Sequence, residues 1–112
     1  MRTLKKEEKE ILEKMLYTSQ WKNRFSIDLD NIKVQNMDDG GMGSIKFISK
    51  LKISEDKRVM KECISKNEFI DKDGILVQIS LNIDNNDNLY ELDFWKVNFS
   101  PINKYPKPED LM

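Results

Sequence analysis

The spacing of apolar positions divides the chain into one helical stretch followed by several strand-like ones. Over residues 4–18, Leu4, Ile11, Leu12, Met15 and Leu16 recur at helical intervals, the stripe of an amphipathic helix, with Thr3 placed to cap it. Glu7, Glu8, Glu10 and Glu13 are interleaved with Lys5, Lys6, Lys9 and Lys14 on the remaining face, which reads as solvated. Trp21 and Phe25 continue the stretch and supply aromatic mass for a core. From residue 31 the period becomes two. Ile32 and Val34 alternate with Lys33 and Gln35, and Ser44-Ile45-Lys46-Phe47-Ile48 alternates again beyond Asp38-Asp39-Gly40-Gly41-Met42-Gly43. Residues 31–48 therefore predict a hairpin closed by a glycine-rich loop. Residues 54–64 fit a helix face or an incoming strand equally.

Ile75, Val77, Ile79, Leu81 and Ile83 share one parity while Gln78, Ser80, Asn82 and Asp84 take the other, a half-buried strand. The preceding Asp71-Lys72-Asp73-Gly74 predicts a tight turn with Gly74 as a bulge at positive φ. That register puts Phe69 and Cys63 on the apolar face, opposite Val77 and Ile83. Asn85-Asn86-Asp87-Asn88 marks a second turn and Leu89 to Phe99 a further strand. Its parity changes partway: Tyr90, Leu92 and Phe94 share one face, Trp95, Val97 and Phe99 the other. A bulge near Phe94-Trp95, or burial of both faces, would reconcile them. Pro101 ends the strand, and with Pro106 and Pro108 makes residues 101–112 an extended tail that frays at its end. The pattern predicts a single α+β domain over residues 1–112. An N-terminal helix packs on one face of a mainly antiparallel sheet of about five strands, covering the Ile75–Ile83 face.

Composition narrows the chemistry. The 112 residues carry 19 Lys+Arg against 20 Asp+Glu and no histidine. Without imidazole, His-based zinc sites and Ser–His–Asp or Cys–His triads are excluded. The single cysteine, Cys63, excludes an internal disulfide and reads as an inert core thiol. Near-neutral charge disfavours nucleic-acid binding. No apolar run approaches the ~20 residues of a membrane span, and the acidic opening lacks the apolar core of a signal peptide, so the expectation is a cytoplasmic protein. Sixteen Lys and ten Asn beside three Arg and no Ala read as the codon bias of an AT-rich genome. The near-neutral total conceals a skew: net +3 over residues 1–26 and net −4 over residues 71–112.

Three groups of residues are candidates for chemistry. The Asp38–Ser44 loop lacks the Lys-Ser/Thr ending and following helix of a phosphate-binding loop, so its glycines read as turn-formers or as room for a partner backbone near Asp39 and Gly41. The Asp71–Asp73 and Asp84–Asn88 turns fall short of a calcium loop and read as Asx turns. Glu91 and Asp93 share one strand face with Lys96 nearby, and Trp95 beside them offers an aromatic anchor. No cofactor or metal site is expected.

Several of these segments recur together in one known family. Met1-Arg2-Thr3-Leu4-Lys5-Lys6-Glu7-Glu8, Asp39-Gly40-Gly41-Met42-Gly43-Ser44, Asp73-Gly74, Ser80-Leu81-Asn82-Ile83-Asp84 and Glu91-Leu92-Asp93-Phe94-Trp95-Lys96-Val97-Asn98-Phe99-Ser100-Pro101 form the series. Over roughly residues 1–102 the chain resembles a family of short bacterial single-domain proteins classed as a domain of unknown function. The resemblance implies no established activity; families of this kind are associated with immunity or antitoxin roles. The expected function is a non-enzymatic protein-interaction module that meets another protein through Glu91, Asp93, Trp95, Lys96, Asp39 and Gly41. The alternative is a small carboxylate-dependent hydrolase or metal-ion enzyme using Asp38, Asp39, Glu91 and Asp93.

Overall fold

Both periodicities are realised, with shifted boundaries, in a computed structural model that describes residues 1–19, 29–49 and 57–112. Trp21 and Phe25 lie outside the described residues, as does the start of the ambiguous 54–64 stretch. Helix α1 spans Lys6–Tyr17 and buries Ile11, Leu12 and Met15. Thr3 does not cap it. Arg2–Thr3 instead form a two-residue strand, β1, paired with Val34 and Lys33 of β2 (Lys33–Asn36). Glu8, expected among solvated charges, is completely buried. Its carboxylate accepts the Lys5 backbone N–H at 2.8 Å and both terminal nitrogens of Arg2 at 2.7 and 2.9 Å. The first helical turn leaves N–H groups unpaired, and a carboxylate at its third position turns back to accept one.

The sheet is completed by β3 (Ile45–Phe47), β4 (Met60–Ile70), β5 (Leu76–Asp84) and β6 (Leu89–Lys96). Its order is β1-β2-β3-β6-β5-β4, with every neighbouring pair antiparallel. The strands number six because β1 is too short to show an alternation in sequence. The β2–β3 hairpin closes through the glycine loop as expected. Gly74 has a φ of +81° and Phe69 faces Val77, so the bulged register of β4 and β5 holds at that end.

Two expectations about register fail further along. Irregularities at Met60/Glu62 and Cys63/Ser65 set Cys63 opposite Asn82 rather than Ile83. The thiol is half-buried, not a core group, and donates to the Ser65 carbonyl at 3.3 Å. A bulge's extra residue reverses the alternation beyond it, which period-two reading cannot anticipate. In β6 the irregularity lies opposite Asn82/Ile83, not at Phe94-Trp95. The parity change has another origin: β6 stops at Lys96, and Trp95, Val97 and Phe99 stand 44%, 40% and 66% exposed.

The core lies between α1 and one face of the sheet. Ile11, Leu12 and Met15 meet Val77, Ile79, Leu81 and Ile83 of β5, Leu92 and Phe94 of β6, and Phe47 of β3. Burial of such aliphatic side chains, worth about 1.5–3 kcal/mol each, is what holds helix to sheet. Residues 101–112 are not a frayed tail. Tyr105 stands edge-on to Phe94 with ring centroids 6.1 Å apart, and Pro106 is buried. After a 3-10 turn at Pro108–Asp110, Met112 exchanges both backbone hydrogen bonds with Glu68 of β4, at 2.8 and 3.2 Å. No helix among the described residues is long and apolar enough to cross a membrane.

Candidate functional site

Alternation assigns the predicted binding residues to two different faces. Leu92, Phe94 and Lys96 point into the core, so Glu91, Asp93 and Trp95 lie on the outer face, away from α1. Lys96 is therefore not beside the acids. It is fully buried, donating to Asp71 Oδ2 at 2.9 Å, Asp73 Oδ2 at 2.6 Å and the Pro101 carbonyl at 3.0 Å. Burial alone would lower its pKa, but the two carboxylates outweigh that and raise it. Burial likewise pushes Asp71 up, but it is outweighed by the Asn103 N–H, the Lys96 ammonium and the Lys72 and Lys104 N–H groups. The carboxyl settles below the usual range. This buried knot fixes the tail to the β4–β5 turn.

Asp39 and Gly41 also prove to serve the fold. Asp39 accepts the backbone N–H of Met42 at 3.1 Å and of Ser44 at 2.9 Å, closing its own loop. Gly41 has a φ of +81°, and an added Cβ would lie 3.3 Å from the Pro101 side chain. The Ile102 N–H donates to the Gly41 carbonyl at 3.1 Å. The backbone that approaches this glycine is thus the chain's own. Asp39 and Gly41 line a groove with Lys5, Ile102 and Tyr105.

The outer face brings together Glu91, Asp93 and Trp95 of β6 with their partners on β5, Asn82, Ser80 and Gln78 respectively. Lys46 of β3 stands opposite Glu91, with its ammonium 5.1 Å from the centre of the Tyr90 ring. Asn82 is 2% exposed; its amide donates to Asp93 Oδ2 at 2.8 Å, while its Oδ1 is shielded from solvent and has no hydrogen-bond partner among the described residues. Partial burial, then the charge of Glu91 and a hydrogen bond shared with it, push Asp93 up to about 6. The Asn82 amide opposes this shift and the charge of Asp39 adds to it.

At the end of β6 the exposed aromatic pair Trp95 and Phe99 meet with ring centroids 6.1 Å apart. Phe99 has a φ of +61°, a left-handed conformation that is costly for a side chain with a Cβ. A turn closed by the Phe99 N–H on the Lys96 carbonyl at 2.8 Å holds it there. The Asn98 side chain, accepting from the Ser100 N–H and hydroxyl, braces the next residue.

Sequence reasoning missed Asn82 and Phe99. Asn82 carried a weak signal, as a polar residue cross-strand from paired acids. Phe99 carried none, because its parity matched a core strand. Of the acids of the enzymatic alternative, Asp39 closes its own loop while its charge reaches Asp93, and Asp38 is exposed. Among the described residues no three His, Cys, Asp or Glu side chains are grouped to hold a metal ion.

Comparison with known proteins gives one match. No curated protein and no solved structure matches the chain. A family model described as Domain of unknown function (DUF6984) matches residues 1–106, nearly the whole chain, and the protein belongs to that family.

Proposed function

We propose that this protein is a non-enzymatic protein-interaction module of the bacterial cytoplasm, of the immunity or antitoxin kind. It engages a basic protein partner through the outer face of β5 and β6 and the adjoining Trp95–Phe99 edge. One observation carries the reading: Glu91 and Asp93 are held together, half-buried, at the cost of an Asp93 carboxyl raised to about 6. Neither residue points into the core. Two like charges kept close on an accessible face are relieved by an incoming positive group. The exposed Trp95 and the strained, outward-pointing Phe99 supply apolar contact beside them.

The test is site-specific photo-cross-linking in a lysate of the source bacterium. Benzoylphenylalanine at position 95 or 99 is expected to give one discrete protein adduct, absent when it replaces exposed Glu13 on α1. Adding Asp93→Asn and Glu91→Gln should weaken the adduct at least fivefold. Equal labelling from position 13, or an adduct indifferent to the acids, would refute the reading.

A further inference from the structure

A half-buried acid pair and a buried acceptor without a donor stand side by side on the outer face, next to an exposed indole. The question is what chemistry would satisfy all three. Asn82 Oδ1 is enclosed and unpaired, although the same amide already donates to Asp93. A buried acceptor in that state is destabilising until a donor reaches it. Glu91 and Asp93 contribute up to four more acceptor oxygens within one step of the strand. Trp95 follows Asp93 on the same face, roughly 6.6 Å further along at strand rise, and is 44% exposed. Among the described residues, the charged groups flanking the site are Lys46 from β3 and Lys66 and Glu68 from β4, with Asp39 acting from the glycine loop.

Taking the proposed interaction surface as given, we infer that it seats one arginine side chain of the partner. Its guanidinium lies across Glu91 and Asp93, donates to Asn82 Oδ1 and rests its flat face against Trp95. The guanidinium offers five donors and no acceptor in one plane, matching a set of sites that is all acceptors with an aromatic wall. Arginine over an indole within about 6 Å is also a favourable cation–π geometry. An ammonium is more strongly hydrated and has no flat face, so it makes less of the same site. A divalent cation fits poorly, because among the described residues only two carboxylates are grouped there and hard cations take six or more oxygens. Oδ1 is shielded from solvent, so neighbouring side chains must turn aside to admit a donor. Glu91 and Asp93 on the same face are only half-buried, which leaves them room to change rotamer.

The experiment is an amide and indole N–H chemical-shift titration of the full chain. The probes are acetyl-Gly-Arg-Gly-amide, its lysine counterpart, magnesium and calcium, at fixed ionic strength and pH 7.5. The arginine peptide is expected to shift residues 82, 91 and 93 and the Trp95 indole saturably. The lysine peptide should bind at least fivefold more weakly, and Asp93→Asn, Glu91→Gln and Trp95→Leu should each weaken arginine binding at least fivefold while the remaining spectrum stays native. No saturable shift with arginine, lysine binding equally well, or a divalent ion saturating the site where arginine does not would overturn the assignment. The cross-linking assay separates the two failures. An acid-dependent adduct at position 95 without arginine binding removes the arginine and leaves the surface; loss of both removes the surface.

Discussion

Asp93 shows how one residue gives the outer face a definite pH dependence. Its carboxyl is raised to about 6, above the unfolded value near 4, so the native state holds a proton that the unfolded chain releases. The contribution is therefore fully present below pH 4 and is lost as pH rises through 6. Asp93→Asn should remove that loss, leaving the variant about 1 kcal/mol more stable than the parent above pH 7, once solvent screening of a half-exposed group is allowed for. Urea titrations should show this gap narrowing to nothing near pH 4. Asp71 and Asp84 have the opposite sign: both are held below the usual carboxylate range and contribute stability that is lost in acid. Phe99 makes a second residue-scale case. Phe99→Gly should leave stability unchanged or raise it by up to about 1 kcal/mol, because the strain at φ +61° disappears with the Cβ. A loss of more than 1 kcal/mol would mean that Phe99 packs rather than waits for a partner. The outer-face positions of Glu91 and Asp93 were legible from alternation, whereas Trp95 was clouded by the parity change that suggested a bulge. The Lys96 error came from proximity in sequence, which places a neighbour of odd spacing on the wrong face.

The elements are joined by charges that hydrophobic patterning does not reveal. Arg58 and Asp84 form a fully buried pair at the end of β5, with Arg58 Nε 2.9 Å from Asp84 Oδ2. Arg58 also donates to the carbonyls of Phe47 and Leu89, tying β3 to β6, and its guanidinium lies 5.0 Å from the centre of the Tyr90 ring. Asp84 in turn accepts the N–H groups of Asn86 and Asn88, so the acidic turn once weighed as a calcium loop spends this carboxylate internally. Arg58→Leu should cost about 3–5 kcal/mol by stranding Asp84 in the interior. Lys61→Ala, which removes the exposed Lys61–Asp87 pair, should change stability by under about 1 kcal/mol in the same denaturation assay. Similar losses from both would show that burial does not govern these pairs. β4 is the long outermost strand, and its two register irregularities, its lysines and the Met112–Glu68 bonds shield it from strand addition. Those irregularities also hid the true setting of Cys63. Periodicity recovers the register only up to the first bulge.

On the scale of the molecule, a sheet with α1 on one face is closed by its own C-terminal segment. Tyr105 packs on Phe94, Pro101 fills the space left at Gly41, and the Asn103 and Lys104 N–H groups complete Asp71. Tyr105→Ala should cost about 2–3 kcal/mol by thermal or urea unfolding. A negligible change would mean that the segment is only draped on the surface. Composition and periodicity gave the α+β class, the helix-on-sheet arrangement and the hairpins. They misread the tail because three prolines look like disorder when the apolar groups they present are not yet known to have a groove. The opposite face, which no described element covers, is where the acids and aromatics collect, and the net −4 of residues 71–112 falls partly there. The most direct test is a pH titration of the Asp93 side-chain carboxyl by carbon-13 NMR in the free protein. A midpoint near 6, falling when the arginine peptide is added, is the predicted result. A midpoint near 4, unchanged by the peptide, would contradict a poised acid pair and with it the binding face.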